Sequence, residues 1–400
     1  MQDSHHKIVI SLIIAFTLLQ IVILAVFGYT PYPDSDGYIL IAEDCVKNHS
    51  WYPVATKLND YYFLWNIGAI NAVILSLKVF NSITPLLVIY CLMKGVTAAL
   101  IYQIAEIITS KRTAFITLLL YILYPANYGE GTSVLSELPF MFFCILGIWL
   151  CITKKMLITG GMSIAVANWF RPMGIVFLLA ILIYFFFIKK KTLRPLVGYI
   201  AMILIIGSLS YLRTGLFLYQ AKTGWMALIQ YSSDHNEASM AVHDRADFNV
   251  SQKDDAWRTL FFQWLKDHPK EYVSQMSKKI IDTFVSDNVN MCTFIPDKAE
   301  KEYMYDTISM KTLWFSFPNY SWVQCLTIIN LIFYYILLSM AILSLFYFQI
   351  NTFIMPLSII SLGTLILLLF GHGEARFHIP LMPFIIILSS ITVTQILCKE

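Results

Sequence analysis

Long apolar runs, many near the ~20 residues that carry a helix across a bilayer, recur along this chain and limit what it can become. A lipid interior leaves no water for backbone groups, so each run has to satisfy its own hydrogen bonds as a helix. Charged residues make up 13% of the 400 positions, about half the ~25% of a soluble domain. The sequence therefore predicts an all-α polytopic membrane protein.

Basic residues orient the runs. Lys111-Arg112, Lys154-Lys155 and Lys189-Lys190-Lys191 with Arg194 fall in short connections, which the positive-inside rule places on the cytoplasmic side. About ten transmembrane helices follow, over 7–28, 85–108, 112–128, 133–152, 156–170, 172–188, 195–218, 322–348, 352–370 and 380–397. The first run lacks a small-residue cleavage site after it and reads as a retained helix rather than a signal peptide. The runs 156–170 and 172–188 are short and meet at Arg171-Pro172, so they are expected to form a tight hairpin.

Two exterior loops are long. The first, 29–84, carries Trp51, Tyr52, Tyr61, Tyr62 and Trp65 among apolar residues, the pattern of interfacial helices. The second, 219–320, is strongly polar and predicts helices over 254–265 and 270–284 on either side of His268-Pro269. The organisation is thus a transmembrane module at 1–218, an exterior, mainly helical region at 219–320 between helices 7 and 8, and C-terminal membrane helices at 321–400. Cysteines show no zinc-site spacing; a Cys45–Cys292 disulfide between the two exterior loops is a low-prior option.

On this topology the chemistry-bearing residues share the outer side. Asp34 and Asp36 follow the first helix in Asp-Ser-Asp-Gly-Tyr38, where a solvated turn competes with a base or a metal ligand. Lys94 lies deep in the second span and needs a cavity or a counter-charge. Glu130 and Glu137 flank the start of the fourth span. Arg171 needs a partner in space, Glu137 or an anionic substrate. Glu374, Arg376 and His378 crowd the link between the last two spans, where Arg376 has the planar fork that suits phosphate. A simple Glu374–Arg376 pair is the plainer alternative.

Taken in order, Asp34 to Tyr38, Ser136-Glu137-Leu138-Pro139-Phe140, Arg171-Pro172, the His268-Pro269 helix pair and Glu374-Ala375-Arg376-Phe377-His378-Ile379-Pro380 resemble the GT-C superfamily of membrane glycosyltransferases. The similar branch holds protein O-mannosyltransferases and aminoarabinose transferases. The resemblance implies transfer of a sugar from a polyprenyl-phosphate donor to an unidentified acceptor in a single inverting displacement. Asp34 would be the base, with Asp36 second to it, and Lys94, Arg376 and Arg171 would hold the donor phosphate. Tyr38, Glu137, Glu374 and His378 would support the site. No cofactor is required; a divalent metal on Asp34, Asp36 or Glu137 is compatible with the chemistry. The first exterior loop lacks the proline-rich stretch of protein mannosyltransferases, which leaves the acceptor class open. The bilayer is the expected partner and nucleic acid is not. The expected location is a bacterial inner membrane with the site facing the periplasm, the alternative being the endoplasmic reticulum facing its lumen, where the sequons at Asn48, Asn249 and Asn319 would matter. A lipid-linked-sugar flippase, another transporter or an O-antigen ligase or polymerase would also be polytopic.

Overall fold

The apolar runs become helices. A computed structural model of the protein describes residues 2–52, 65–190, 192–232, 236–245, 247–296, 321–347, 350–371 and 373–397, and among them there is no strand. In chain order the helices are α1 Gln2–Phe27, α2 Pro33–Lys47, α3 Ile67–Phe80, α4 Thr84–Ile108, α5 Lys111–Leu123, α6 Glu137–Ile152, α7 Leu157–Phe170, α8 Gly174–Phe187 and α9 Arg194–Thr214. Then come α10 Gly224–Ser232, α11 Asn236–His243, α12 Val250–Asp267, α13 Pro269–Phe284, α14 Ser321–Leu343, α15 Ile350–Phe370 and α16 Met382–Leu397.

Six helical stretches among the described residues are long and apolar enough to cross a membrane, and a seventh if the segments Pro125–Thr132 and Glu137–Ile152, bent by 112°, act as one. The stretch Ala375–Leu397 is 83% buried and His5–Phe27 only 28%, so α16 stands at the centre and α1 on the rim. On α1, Ile8, Ile14 and Leu18 are more than half exposed, the surface expected of a helix bathed in lipid.

Several boundaries differ from the sequence expectation for local reasons. The expected span 112–128 stops at Leu123, because Pro125 disfavours helix at the residue before it, and short 3-10 turns occupy Pro125–Tyr128 and Glu130–Thr132. The expected 195–218 stops at Thr214, where Gly215 takes φ +74 and closes the helix in the left-handed conformation. In the region 219–320 the helix expected from 254 starts earlier, preceded by the unexpected α10 and α11: Asn249 and Gln252 form a reciprocal capping box that fixes its N-terminus at Val250. Cys45 and Cys292 are both buried.

Helices pack through small residues and hydroxyls, as lipid-exposed bundles do in the absence of a hydrophobic drive between helices. A Cβ on Gly161 would stand 1.8 Å from Pro195 O, and one on Gly198 1.9 Å from Ile158 O, so α7 and α9 touch backbone to backbone. From α16, Ser389 and Thr392 donate to Leu337 O and Met340 O of α14 at 2.7 Å, and Ser390 meets Thr117 of α5 at 2.7 Å. The chain folds back between α7 and α8 as expected: a Cβ on Gly174 would lie 2.8 Å from Ile164 O, and Gly174 N donates to Asn168 Oδ1 at 3.1 Å.

The basic connections gather at one end of this bundle. Arg112 donates to Leu397 O at 3.3 Å, the His5 and Phe115 rings meet at a tilt with centroids 5.3 Å apart, and Trp149 donates to Gln103 at 2.9 Å. The opposite end carries α2 and the exterior helices. These have a core of their own around Trp257, Phe261, Trp264, Leu228 and Ile229, with Trp257 fully buried and donating to Ser239 O at 3.1 Å.

Candidate active site

At that opposite end, three elements converge on one guanidinium. Pro33 opens α2 with its φ pre-set for helix, and Asp34 and Asp36 lie in the first turn, where the helix dipole favours negative charge. The approach to α2 is fixed from below. Thr30 N donates to Thr132 O at 2.9 Å, the Thr30 and Thr293 hydroxyls each lie within 3.1 Å of that of Thr132, and Tyr32 donates to Val289 O at 2.8 Å. Glu137 begins α6 and is buried; Arg171 ends α7 in extended conformation; Arg376 sits in the 3-10 segment Ala375–Leu381 ahead of α16.

Arg376 Nη1 lies 2.7 Å from Asp34 Oδ2, and its Nε 2.7 Å from Glu374 Oε1 and 3.6 Å from Glu137 Oε1. Arg171 Nη1 lies 2.7 Å from the same Glu137 oxygen and 3.3 Å from Ser136 Oγ. Both guanidiniums flank Phe377, at 4.6 and 5.8 Å from its ring centre. Tyr38 is buried beside them and accepts from Asn66 Nδ2 at 2.7 Å, while Asn66 also donates to Ser136 at 3.1 Å. Burial, and then the charges of Asp34 and Glu137, push the Tyr38 phenol well above its ordinary range, so it serves as a neutral hydroxyl.

A cavity of about 970 Å³ opens over this cluster. Asp34, Tyr38, Arg171, Glu374 and Arg376 line it, Ile366 and Leu367 of α15 form an apolar side, and residues 217–227 with Asp254 close it from the exterior region. Burial raises the Asp254 carboxyl above its usual range, with Lys222 nearby opposing the shift.

The structure brings Asp34, Tyr38, Glu137, Arg171, Glu374 and Arg376 together. Three other candidates fall elsewhere. Asp36 is exposed and accepts from Tyr29 at 3.1 Å. Lys94 is fully buried, 2.8 Å from Glu130 Oε2 and 2.9 Å from Asn127 Oδ1, and so meets its need for a counter-charge within the protein. His378 is fully buried behind the cavity, between Thr283 O at 2.7 Å and Asp287 Oδ1 at 2.9 Å. Asp287 in turn accepts from the Tyr124 hydroxyl.

Sequence reasoning missed Asn66, Tyr219, Lys222, Trp225 and Asp254 as cavity residues. Trp65 carried a signal as an interfacial aromatic; the others are polar loop or helix residues with no spacing that marks them. Among the described residues no group of three or more His, Cys, Asp or Glu side chains could hold a metal ion, and the carboxylates of Asp34 and Glu137 are oriented toward arginine. No family model, curated protein or solved structure matches the chain.

Proposed function

We propose that the protein is a membrane glycosyltransferase that moves a sugar from a polyprenyl-phosphate donor to an acceptor at the outer face of the bilayer. One observation carries the reading: a carboxylate, Asp34, and two arginines border one cavity that also has apolar lining, Ile366 and Leu367 on one side and Phe217, Leu218, Trp225 and Met226 beside Gln220, Lys222 and Asp254 on the other. A lipid-linked donor needs that combination, since its tail stays in hydrocarbon while its phosphosugar reaches a polar pocket.

In the reaction, Asp34 takes the proton from an acceptor hydroxyl or amine as that atom bonds to the anomeric carbon. The bond from anomeric carbon to phosphate oxygen breaks and its electron pair leaves with the phosphate, which Arg376 and Arg171 stabilise. Attack opposite the leaving group inverts the anomeric centre. Tyr38 and Glu137 hold the frame, and no metal is assigned a step.

The topology that goes with this function has ten crossings, by α1, α4 to α9 and α14 to α16. At 1.5 Å per residue, the 13 residues of α5 and the 14 each of α7 and α8 span about 20 Å, which calls for a locally thinned bilayer. Positive-inside orientation puts the Asp34–Arg376 end outside, on the periplasmic face of a bacterial inner membrane. In the endoplasmic reticulum alternative Asn249 would be a glycan site, yet its side chain caps α12.

Donor consumption tests the reading. Membranes holding wild type or Asp34→Asn are given labelled polyprenyl-phosphate sugars and a crude acceptor extract; consumption of one donor by wild type only is expected. A transporter or flippase has one observation in its favour, the buried Lys94–Glu130 pair among the helices. If neither protein consumes any donor while both are well folded, flux of lipid-linked sugar becomes the measurement and the transferase reading falls.

A further inference from the structure

The charges around the cavity do not suit the anion they would have to bind. Asp34, Glu137 and Glu374 set three carboxylates against the two guanidiniums of Arg171 and Arg376. The cluster is therefore negative by one charge, and a lipid phosphate arriving there meets repulsion unless a carboxylate gives way.

The three acids differ in how easily they can leave. Glu137 is 4% exposed, lies between both arginines and has no solvent to move into. Glu374 belongs to the same short segment as Arg376, two residues away, so the chain itself keeps it close. Asp34 comes from a different element, its side chain is 30% exposed, and it faces the cavity. It also sits in the first turn of α2, where the helix N-terminus continues to favour its charge once the arginine is gone. Asp34 is thus the displaceable partner, and its carboxylate stands 2.7 Å from Nη1, where a phosphate oxygen would pair with the guanidinium.

We propose that Asp34 fills the donor-phosphate position on Arg376 while the pocket lacks donor, and that phosphate binding expels it, so that the base is released only when the donor is seated. This rests on the transferase reading given above. In the resting pair, the carboxylate that should accept a proton is engaged by a guanidinium at 2.7 Å and so is not turned toward an acceptor. Exchange moves the cation from base to leaving group, the two places where catalysis needs the opposite arrangement. Donor would therefore bind before acceptor, and water or acceptor alone would meet a blocked base.

The test is a binding measurement that needs no turnover. Full-length wild type, Asp34→Asn and Asp36→Asn in nanodiscs are titrated with farnesyl phosphate, a short isoprenyl phosphate that matches the leaving group. Removing a charge-assisted competitor at 2.7 Å, discounted for its partial exposure, should tighten Asp34→Asn by about tenfold. Asp36 is two residues away and bonded to Tyr29 rather than Arg376, so Asp36→Asn reports the general loss of one negative charge, under about twofold. Unchanged or weaker binding by Asp34→Asn, or an equal gain in Asp36→Asn, would overturn the proposal. If that happens while wild type still consumes a sugar donor, only the displacement idea is lost. If no protein binds farnesyl phosphate and none consumes donor, the transferase reading itself is overturned.

Discussion

Lys94 and Glu130 offer a sharp separation between structural and catalytic charge. With Nζ and Oε2 2.8 Å apart, their attraction is about 6 kcal/mol at an effective dielectric near 20, most of it spent against the cost of taking both ions out of water. Lys94→Met leaves a buried carboxylate without its ammonium, and Glu130→Gln leaves a buried ammonium without its carboxylate. Each should cost about 3–5 kcal/mol. The double variant removes both charges and both desolvation terms, and loses chiefly the Asn127 hydrogen bond, worth about 1 kcal/mol. It should return to within about 2 kcal/mol of wild type, a large departure from additivity. Unfolding in mixed micelles gives the stabilities, and donor consumption by the double variant gives the function. Because Lys94 does not border the cavity, the double variant should still turn over. Single variants costing under ~1 kcal/mol would show that the site is hydrated and refute the energetics; a stable but inactive double variant would return Lys94 to the reaction.

Other outcomes follow from the same geometry. Arg376→Ala should weaken farnesyl phosphate binding at least tenfold, about 1.4 kcal/mol, and leave Asp34 without its partner; unchanged affinity would remove Arg376 from the phosphate site. Gly198→Ala gains about 1 kcal/mol of helix propensity but places a methyl 1.9 Å from Ile158 O, so it should destabilise by about 3 kcal/mol net, visible as a lower melting temperature in detergent. Burial holds the Lys279 ammonium on α13 below the usual lysine range, so the folded state is penalised where lysine is charged when unfolded. Lys279→Met should therefore be more stable than wild type near pH 7, and the gap should close as pH rises toward the free lysine value of about 10.4. A gap independent of pH would assign the effect to packing.

How far the sequence could be read depended on whether a feature is local. The apolar runs, the lysine connections and the turn at Arg171-Pro172 each act through neighbours in the chain, and their helices and reversal are present. The expected span 112–128 runs past Pro125 into residues that form a 3-10 turn, although Pro125 itself argues against continuing the helix there. The plainer reading of Glu374 as the partner of Arg376 holds at 2.7 Å, yet it is incomplete, since Asp34 shares the same guanidinium. Arg171 does meet Glu137, one of its two expected partners. Depth alone could not say that Glu130 would satisfy Lys94, because that pairing depends on the 112° bend between Pro125–Thr132 and Glu137–Ile152. The wall from 217 to 227 left no trace in the sequence because its residues have no common spacing; only the packing of the helices after α9 brings them over Asp34.

The end of α13 is held unusually firmly. Thr283 O and Asp287 engage His378, while Tyr334 and Tyr335 donate to Phe284 O and Val285 O at 2.9 and 2.6 Å. Those bonds join the exterior helices to the segment bearing Arg376 along one margin. The other margin, residues 217–227, hangs from Gly215 at the end of α9. That margin is tied as well, since Gln220 accepts from Asn168 of α7 at 2.7 Å. With both margins bonded to the helix bundle, the roof of the cavity is anchored to the same frame that spaces Asp34, Arg171 and Arg376.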